Sequence, residues 1–247
     1  MKPAVGPTAF VLDINVFGGL GAVRSLARDG VPVIGIAPDP SRFGFATRYC
    51  TAKQCPNPVT QPEELLGFLQ QEGRRLTEPG ILLPASDEFV LFLWRYQEEL
   101  KESFRFSTAP PEIMEAGVNK RMQYELAERL GVPYPTTFYP ETMDEIRRIK
   151  DRLDYPVFIK PCYSHLWRAH FPKRGKGIKV ETPQELVTAY EEILPSGLQL
   201  MVQEIIPGAD SQHFNVRAYV SESGDILAEF VSRKLRQWPV QFGVGTI

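Results

Sequence analysis

The sequence predicts an α/β fold over residues 1–111, built on an open, doubly wound parallel sheet, and an α+β region over 112–247. Short apolar runs alternate with amphipathic stretches in the first part, which is the order that gives parallel strands covered on both faces. After Pro110-Pro111 the strand-like runs follow one another instead, and one pair is separated only by a turn.

In order, 9–13 reads as a short apolar strand and 18–21 as a tight glycine turn. Apolar residues at helical spacing predict a helix over 22–29, with Gly30 as its stop. A strand follows at 31–36, and then an amphipathic helix at 62–72 whose proline and acids suit a first turn. The run 80–84 is a buried strand and 88–100 a helix; the sheet ends near the rigid boundary Pro110-Pro111. Beyond it, helices are expected at 119–130, stopped by Gly131 and two prolines, at 143–153 and at 183–194. Strands are expected at 155–160, 178–180, 198–204, 214–220 and 226–232, the last two joined by a hairpin turn at 221–225.

Composition narrows the function. The 247 residues suffice for two domains, and an apolar fraction of 43% argues against disorder. A net charge of −2 argues against a nucleic-acid partner. No apolar run is long enough to span a membrane, and the N-terminal residues lack the apolar core of a secretion signal. Three cysteines make a disulfide framework an unfavoured reading, so a cytoplasmic location is expected. Cys50 and Cys55 have no second pair to complete a zinc tetrahedron.

Gly19 and Gly21 between a strand and a helix, with Asp39 about 20 residues on, invite a nicotinamide dinucleotide reading. Arg24 stands where that fingerprint needs a small residue, so a turn serving the sheet is favoured.

The chemistry lies later. Lys120 opens a helix after Val-Asn, and Lys160 closes the apolar strand Pro-Val-Phe-Ile-Lys. The basic, glycine-rich segment 173–180 follows, and then the strand and turn 200–210. Cations at strand and helix edges beside a backbone-rich loop are what a polyphosphate requires. Singly, Lys120 reads as a solvated helix-start lysine, 173–179 as an exposed charge run and Asp210 as a turn aspartate. Their order together is the signal.

With these elements in that order, the chain resembles the ATP-grasp superfamily, in the manner of D-aspartate-ligase-like and biotin-carboxylase-like carboxylate–amine ligases. The resemblance implies a Rossmann-like domain at 1–111 and the nucleotide-binding part of an ATP-grasp domain at 112–247, lacking its C-terminal part. It implies that Lys120 and Lys160 contact phosphate, and that Gly175, Lys176, Gly177 and Ile178 form the loop closing over it. It further implies that Gln203, Glu204, Ile205 and Ile206 read adenine, and that Asp210 accepts the ribose hydroxyls. Gln203 stands where many relatives carry Glu.

The reaction so implied joins a small-molecule carboxylate to an amine through an acyl phosphate, using ATP and Mg2+. The metal ligands are expected beyond residue 247, so the chain alone is expected to be inactive. A fragment, a degenerate nucleotide-binding relative and a chain completed by another polypeptide all remain open. An anionic substrate or the transferred phosphate would be met by strand arginines; Arg217 and Arg236 are the catalytic candidates, with Arg233 and Lys234 beside them. Ser86, Asp87 and Glu88 end a parallel strand where open sheets bind ligands, although an N-cap with first-turn acids explains them equally. His165, Trp167 and His170 read as part of a long loop without catalytic pattern. A homodimer is expected by analogy alone.

Overall fold

The computed structural model describes residues 6–238 and 244–246, and the chain divides into two compact units, Met1–Glu115 and Ala116–Ile247.

The first unit is a five-stranded, fully parallel sheet. Its elements are β1 (Ala9–Leu12), α1 (Phe17–Arg28), β2 (Val33–Ala37), β3 (Thr51–Gln54), α2 (Pro62–Gly73), β4 (Gly80–Pro84), α3 (Asp87–Arg95), α4 (Gln97–Leu100) and β5 (Phe104–Arg105). The strand order is β3-β2-β1-β4-β5. Central β1 is buried throughout, and its alternation explains the two-sided covering. Phe10 and Leu12 join Leu65, Leu69, Phe89 and Phe104 in one cluster, while Val11 joins Ile14, Val23 and Val33 in the other.

Three expectations are corrected here. The glycines at 18–21 do not form a turn: they lie inside α1. The chain reverses earlier, at Asp13, whose φ is 78°. Gly19 is needed for close approach, because a Cβ there would lie 2.1 Å from the Asp13 carbonyl oxygen. The helix expected over 88–100 is two, parted at Tyr96, whose ring packs tilted against Phe92 with centres 4.9 Å apart and whose hydroxyl donates to Glu63 Oε1 at 2.6 Å. β3, unforeseen, carries Lys53, which pairs with the buried Glu72 carboxylate of α2.

Pro111, expected at a rigid boundary, starts a helix: α5 (Pro111–Val118) uses proline where its missing N–H costs nothing. In the second unit follow α6 (Lys120–Arg129), β6 (Thr137–Phe138), α7 (Met143–Ile149), β7 (Val157–Pro161), α8 (Ser164–His170), β8 (Ile178–Val180), α9 (Pro183–Ile193) and β9 (Leu200–Glu204). The sheet order is β6-β9-β7-β8, antiparallel throughout. Val157, Ile159 and Val202 pack with Ile146, Leu186 and Tyr190 on one face. In the β7–β9 register Phe158 lies opposite Gln203 and Lys160 opposite Met201, so these four share the other face. The segment holding His165, Trp167 and His170 is therefore no loop but α8, with Trp167 buried in the core.

Two antiparallel pairs complete the unit: β10 (Phe214–Val220) with β11 (Ile226–Arg233), and β12 (Arg236–Trp238) with β13 (Val244–Thr246). The β10–β11 pair leaves Phe214, Val216, Tyr219, Leu227, Phe230 and Val231 all more than half exposed. Within the final stretch 242–247, only residues 244–246 are among the described residues.

Candidate functional site

A cavity of about 930 Å3 lies within the second unit, on the sheet face carrying Phe158 and Lys160. Its cations come from α6, β7, α8, the glycine segment, β8 and the segment before β12.

Lys120 enters from the start of α6. Asn119 caps that helix, accepting from the Arg121 backbone N–H at 3.0 Å, and its side-chain amide donates to the Tyr163 hydroxyl at 2.9 Å. The Lys120 backbone N–H donates to the Cys162 carbonyl at 3.0 Å, which ties α6 to the end of β7. Its ammonium donates to Ser164 Oγ at 2.7 Å.

Lys160 projects from β7. Its ammonium reaches the Tyr124 hydroxyl at 3.4 Å and lies 5.7 Å from the centre of that ring. Among the described residues it makes no ion pair. Tyr124 stacks on Tyr134 with ring centres 5.5 Å apart and donates to Gln203 Oε1 at 3.5 Å. The buried Gln203 amide donates to Thr137 Oγ1 at 2.6 Å, which fixes its orientation.

The glycine segment is held from beneath. Trp167 Nε1 donates to the Gly175 carbonyl at 3.1 Å, and Gly175 itself has φ 59°. At Gly177 φ is 154°, and a Cβ would lie 2.2 Å from the Ile159 carbonyl oxygen, so only glycine lets the loop lie against β7. Lys176 is the charge at the tip: burial lowers its pKa, and nearby Lys234 lowers it further.

Lys120, Lys160, Gly175, Lys176 and the run Gln203–Ile206 thus line one cavity. Gly177 and Ile178 do not; they shape its edge through packing on Ile159 and pairing with β7. Glu204 is the carboxylate among the described lining residues, and its Oε1 accepts from the Thr136 backbone N–H at 2.7 Å. Asp210 begins a short 3-10 turn between Ala209 and Gln212, which line the cavity; its side chain lies outside what the structure describes.

Arg217 and Arg236 are not brought to the cavity. Arg217 donates to Ser232 Oγ at 3.2 Å within the β10–β11 pair. Strand alternation explains Arg236: Gln237, the next residue of β12, lines the cavity in its place, together with Lys234, which donates to Gln237 Oε1 at 3.1 Å. Ser86, Asp87 and Glu88 lie in the first unit, where Ser86 precedes α3 at the carboxyl end of β4. Close to them, burial raises the Asp13 carboxyl above its usual range.

Tyr124, Ser164 and Thr137 escaped the sequence reading, and Trp167 was read only as part of a loop. A signal existed for Tyr124 alone: it follows Lys120 by four residues and so shares its helix face.

Among the described residues no group of three or more His, Cys, Asp or Glu side chains is placed to hold a metal. With one engaged carboxylate beside several ammonium groups, the cavity's donor set does not fit Mg2+. The three cysteines are unpaired, and burial pushes the Cys55 thiol up to about 12. No helix among the described residues is long and apolar enough to cross a membrane.

No family model matches the chain. It is 27% identical over 189 residues to D-aspartate ligase from Enterococcus faecium, covering 74% of this chain and 45% of that protein. Its fold is similar to L-amino acid ligase from Bacillus licheniformis, with a TM-score of 0.63 at 14% identity, over 96% of this chain and 52% of that one. N5-carboxyaminoimidazole synthetase from Staphylococcus aureus, complexed with ADP, gives a TM-score of 0.64 at 10% identity, over 97% and 57%. The chain spans about half the length of these relatives. It is thus similar in sequence to the first and in fold to the others, and is a partial chain relative to all three.

Proposed function

We propose that the cavity of the second unit binds ATP and that the chain forms the nucleotide-binding half of an ATP-dependent carboxylate–amine ligase. One observation carries this reading. Lys120, Lys160, Lys176 and Lys234 line a single cavity, with Lys179, paired to Glu181 at 2.7 Å, beside them, and the cavity's described carboxylate is already engaged. Ammonium groups gathered in a partly dry cleft repel one another, and a polyanion relieves that cost.

In this reading Lys120 and Lys160 meet the phosphates, and Lys176 closes on them from the glycine segment. The strand edge at Gln203–Ile206 offers a backbone donor and acceptor in line to the base. Asp210 takes the ribose. Positioning and charge neutralisation are then the chain's main contribution. A substrate carboxylate oxygen attacks the terminal phosphorus and ADP leaves. The amine attacks the resulting acyl phosphate, and phosphate departs with loss of a proton. The D-aspartate ligase relative supports an amino acid as one substrate. Ser86, Asp87 and Glu88, beside the raised Asp13 carboxyl, suit a polar substrate at the carboxyl end of a parallel sheet.

Calorimetric titration with ATP and with NADH tests this. ATP is expected to bind and NADH not, and Lys160→Ala is expected to weaken ATP by about tenfold or more, the loss of a charge-assisted contact. Arg24→Ala should leave it unchanged. Equal affinities in the two variants sink the assignment.

A further inference from the structure

Gln203 is buried, yet it lines the cavity, so what its amide presents there bears on what the cavity accepts. A glutamine offers an acceptor oxygen and a donor nitrogen of nearly the same shape, and its neighbours decide which of them points where. Here the neighbours form one directed chain of hydrogen bonds. Thr137 lies opposite Gln203 in the β6–β9 register, and its hydroxyl donates to the Pro135 carbonyl at 2.7 Å. A carbonyl only accepts and a hydroxyl carries one proton, so Thr137 Oγ1 has only lone pairs left for Gln203. The atom facing it at 2.6 Å is accordingly Gln203 Nε2, which donates.

The other end runs the same way. Lys160 only donates, and its ammonium reaches the Tyr124 hydroxyl at 3.4 Å. The Tyr124 proton is left for Gln203 Oε1, 3.5 Å away. Reversing the amide would press its oxygen against the lone pairs of Thr137 and leave both unmatched. The two ends of the amide are held unequally. Its nitrogen has a short bond to Thr137, which does not line the cavity. Its oxygen lies on the side of Lys160, which does, and among the described residues it meets only the long contact from Tyr124. A buried carbonyl oxygen so placed lacks a strong donor.

We propose that Thr137 is a positioning residue that sets base selectivity in this cavity. By holding the Gln203 amide with its oxygen toward the base, it selects adenine, whose six-membered ring carries an amino group, over hypoxanthine, which carries a carbonyl at the same place. The amino group has one hydrogen for the strand edge and another for Gln203 Oε1. A carbonyl brings a further acceptor against that oxygen, and both stay unpaired in a partly dry site. Thr137 itself touches no part of the nucleotide; it acts through Gln203. The inference rests on the nucleotide reading and adds to it a preference and the residue that produces it.

The probes are ATP and inosine triphosphate, titrated calorimetrically into the whole chain and its variants. The unaltered chain should bind ATP about tenfold or more tighter, a donor gained against two facing acceptors. The strand edge contributes its own preference in every variant, so the change in the ratio of affinities is the readout. Thr137→Val keeps the shape and removes the hydroxyl, which frees the amide to turn. ATP should weaken, inosine triphosphate should tighten, and the ratio should fall by about fivefold or more. Thr137→Ser returns the hydroxyl and should bring the ratio back to within about twofold of the unaltered chain. Gln203→Leu deletes the amide and should lower the ratio likewise, which keeps the test decisive if Thr137→Val does not fold. A merely structural Thr137 would weaken both nucleotides together and leave their ratio unchanged. That result, or full selectivity in Gln203→Leu, overturns the proposal. Equal affinity of the unaltered chain for the two nucleotides overturns it as well and leaves the cavity a nucleotide site. Binding of neither sinks the nucleotide reading, and this proposal with it.

Discussion

Lys176 shows how a single residue reports on the site. Burial and Lys234 together depress its pKa, so its positive charge is lost at lower pH than that of an ordinary lysine. A polyanion favours the charged form and pulls the pKa back up. Nucleotide binding should therefore take up protons in the alkaline range, and affinity should fall as pH rises. Calorimetry in buffers of different ionisation enthalpy checks this; proton release on binding would contradict it. Lys160 gives a second expectation. Because Tyr124 links it to Gln203, Tyr124→Phe keeps the ring beneath the ammonium and removes only the hydroxyl. ATP affinity should fall by about three- to tenfold, one modest hydrogen bond, with thermal stability nearly unchanged. That these lysines gather at one cavity was legible in the sequence, because the charged residues announced themselves by type and order. The residues that hold them were not. Thr137 and Ser164 are ordinary polar residues until the fold places them beside Gln203 and Lys120.

At the scale of elements, local pattern served where one face of an element is buried and failed where tertiary contacts decide. α9 and the strand at 178–180 follow their apolar spacing closely. β3 does not, since its residues are half-exposed at an edge, and its Lys53 is held by a buried carboxylate distant in sequence. Glycine at 19 was visible while its purpose was not: the sequence suggests a turn, and the structure uses the missing side chain for contact with Asp13. Gly177 has the same logic at the cavity. Gly177→Ala combines a strained φ with a clash against Ile159, costing about 1–3 kcal/mol from the backbone alone. It should weaken nucleotide binding as well as lower the melting temperature, whereas Gly175→Ala has open space and should cost less. Trp167→Ala, removing the fully buried support of Gly175, should destabilise by about 3–5 kcal/mol in chemical denaturation.

For the whole molecule, each unit has its own core, and the cavity lies entirely within the second. Unfolding should accordingly respond to ATP in the second unit only, which differential labelling of the buried Cys55 and Cys162 can separate. The alternating order of strands and helices made the parallel sheet readable, whereas the bare β10–β11 pair was readable only as a hairpin. Periodicity cannot say whether a strand's second face is covered. That hairpin has a consequence for how the chain breathes. Among the described residues no layer packs over most of the apolar side chains of these two strands, and such ribbons are marginal by themselves. Their amides should trade hydrogen for deuterium through brief local openings, long before those of Val157–Pro161 and Leu200–Glu204 do so.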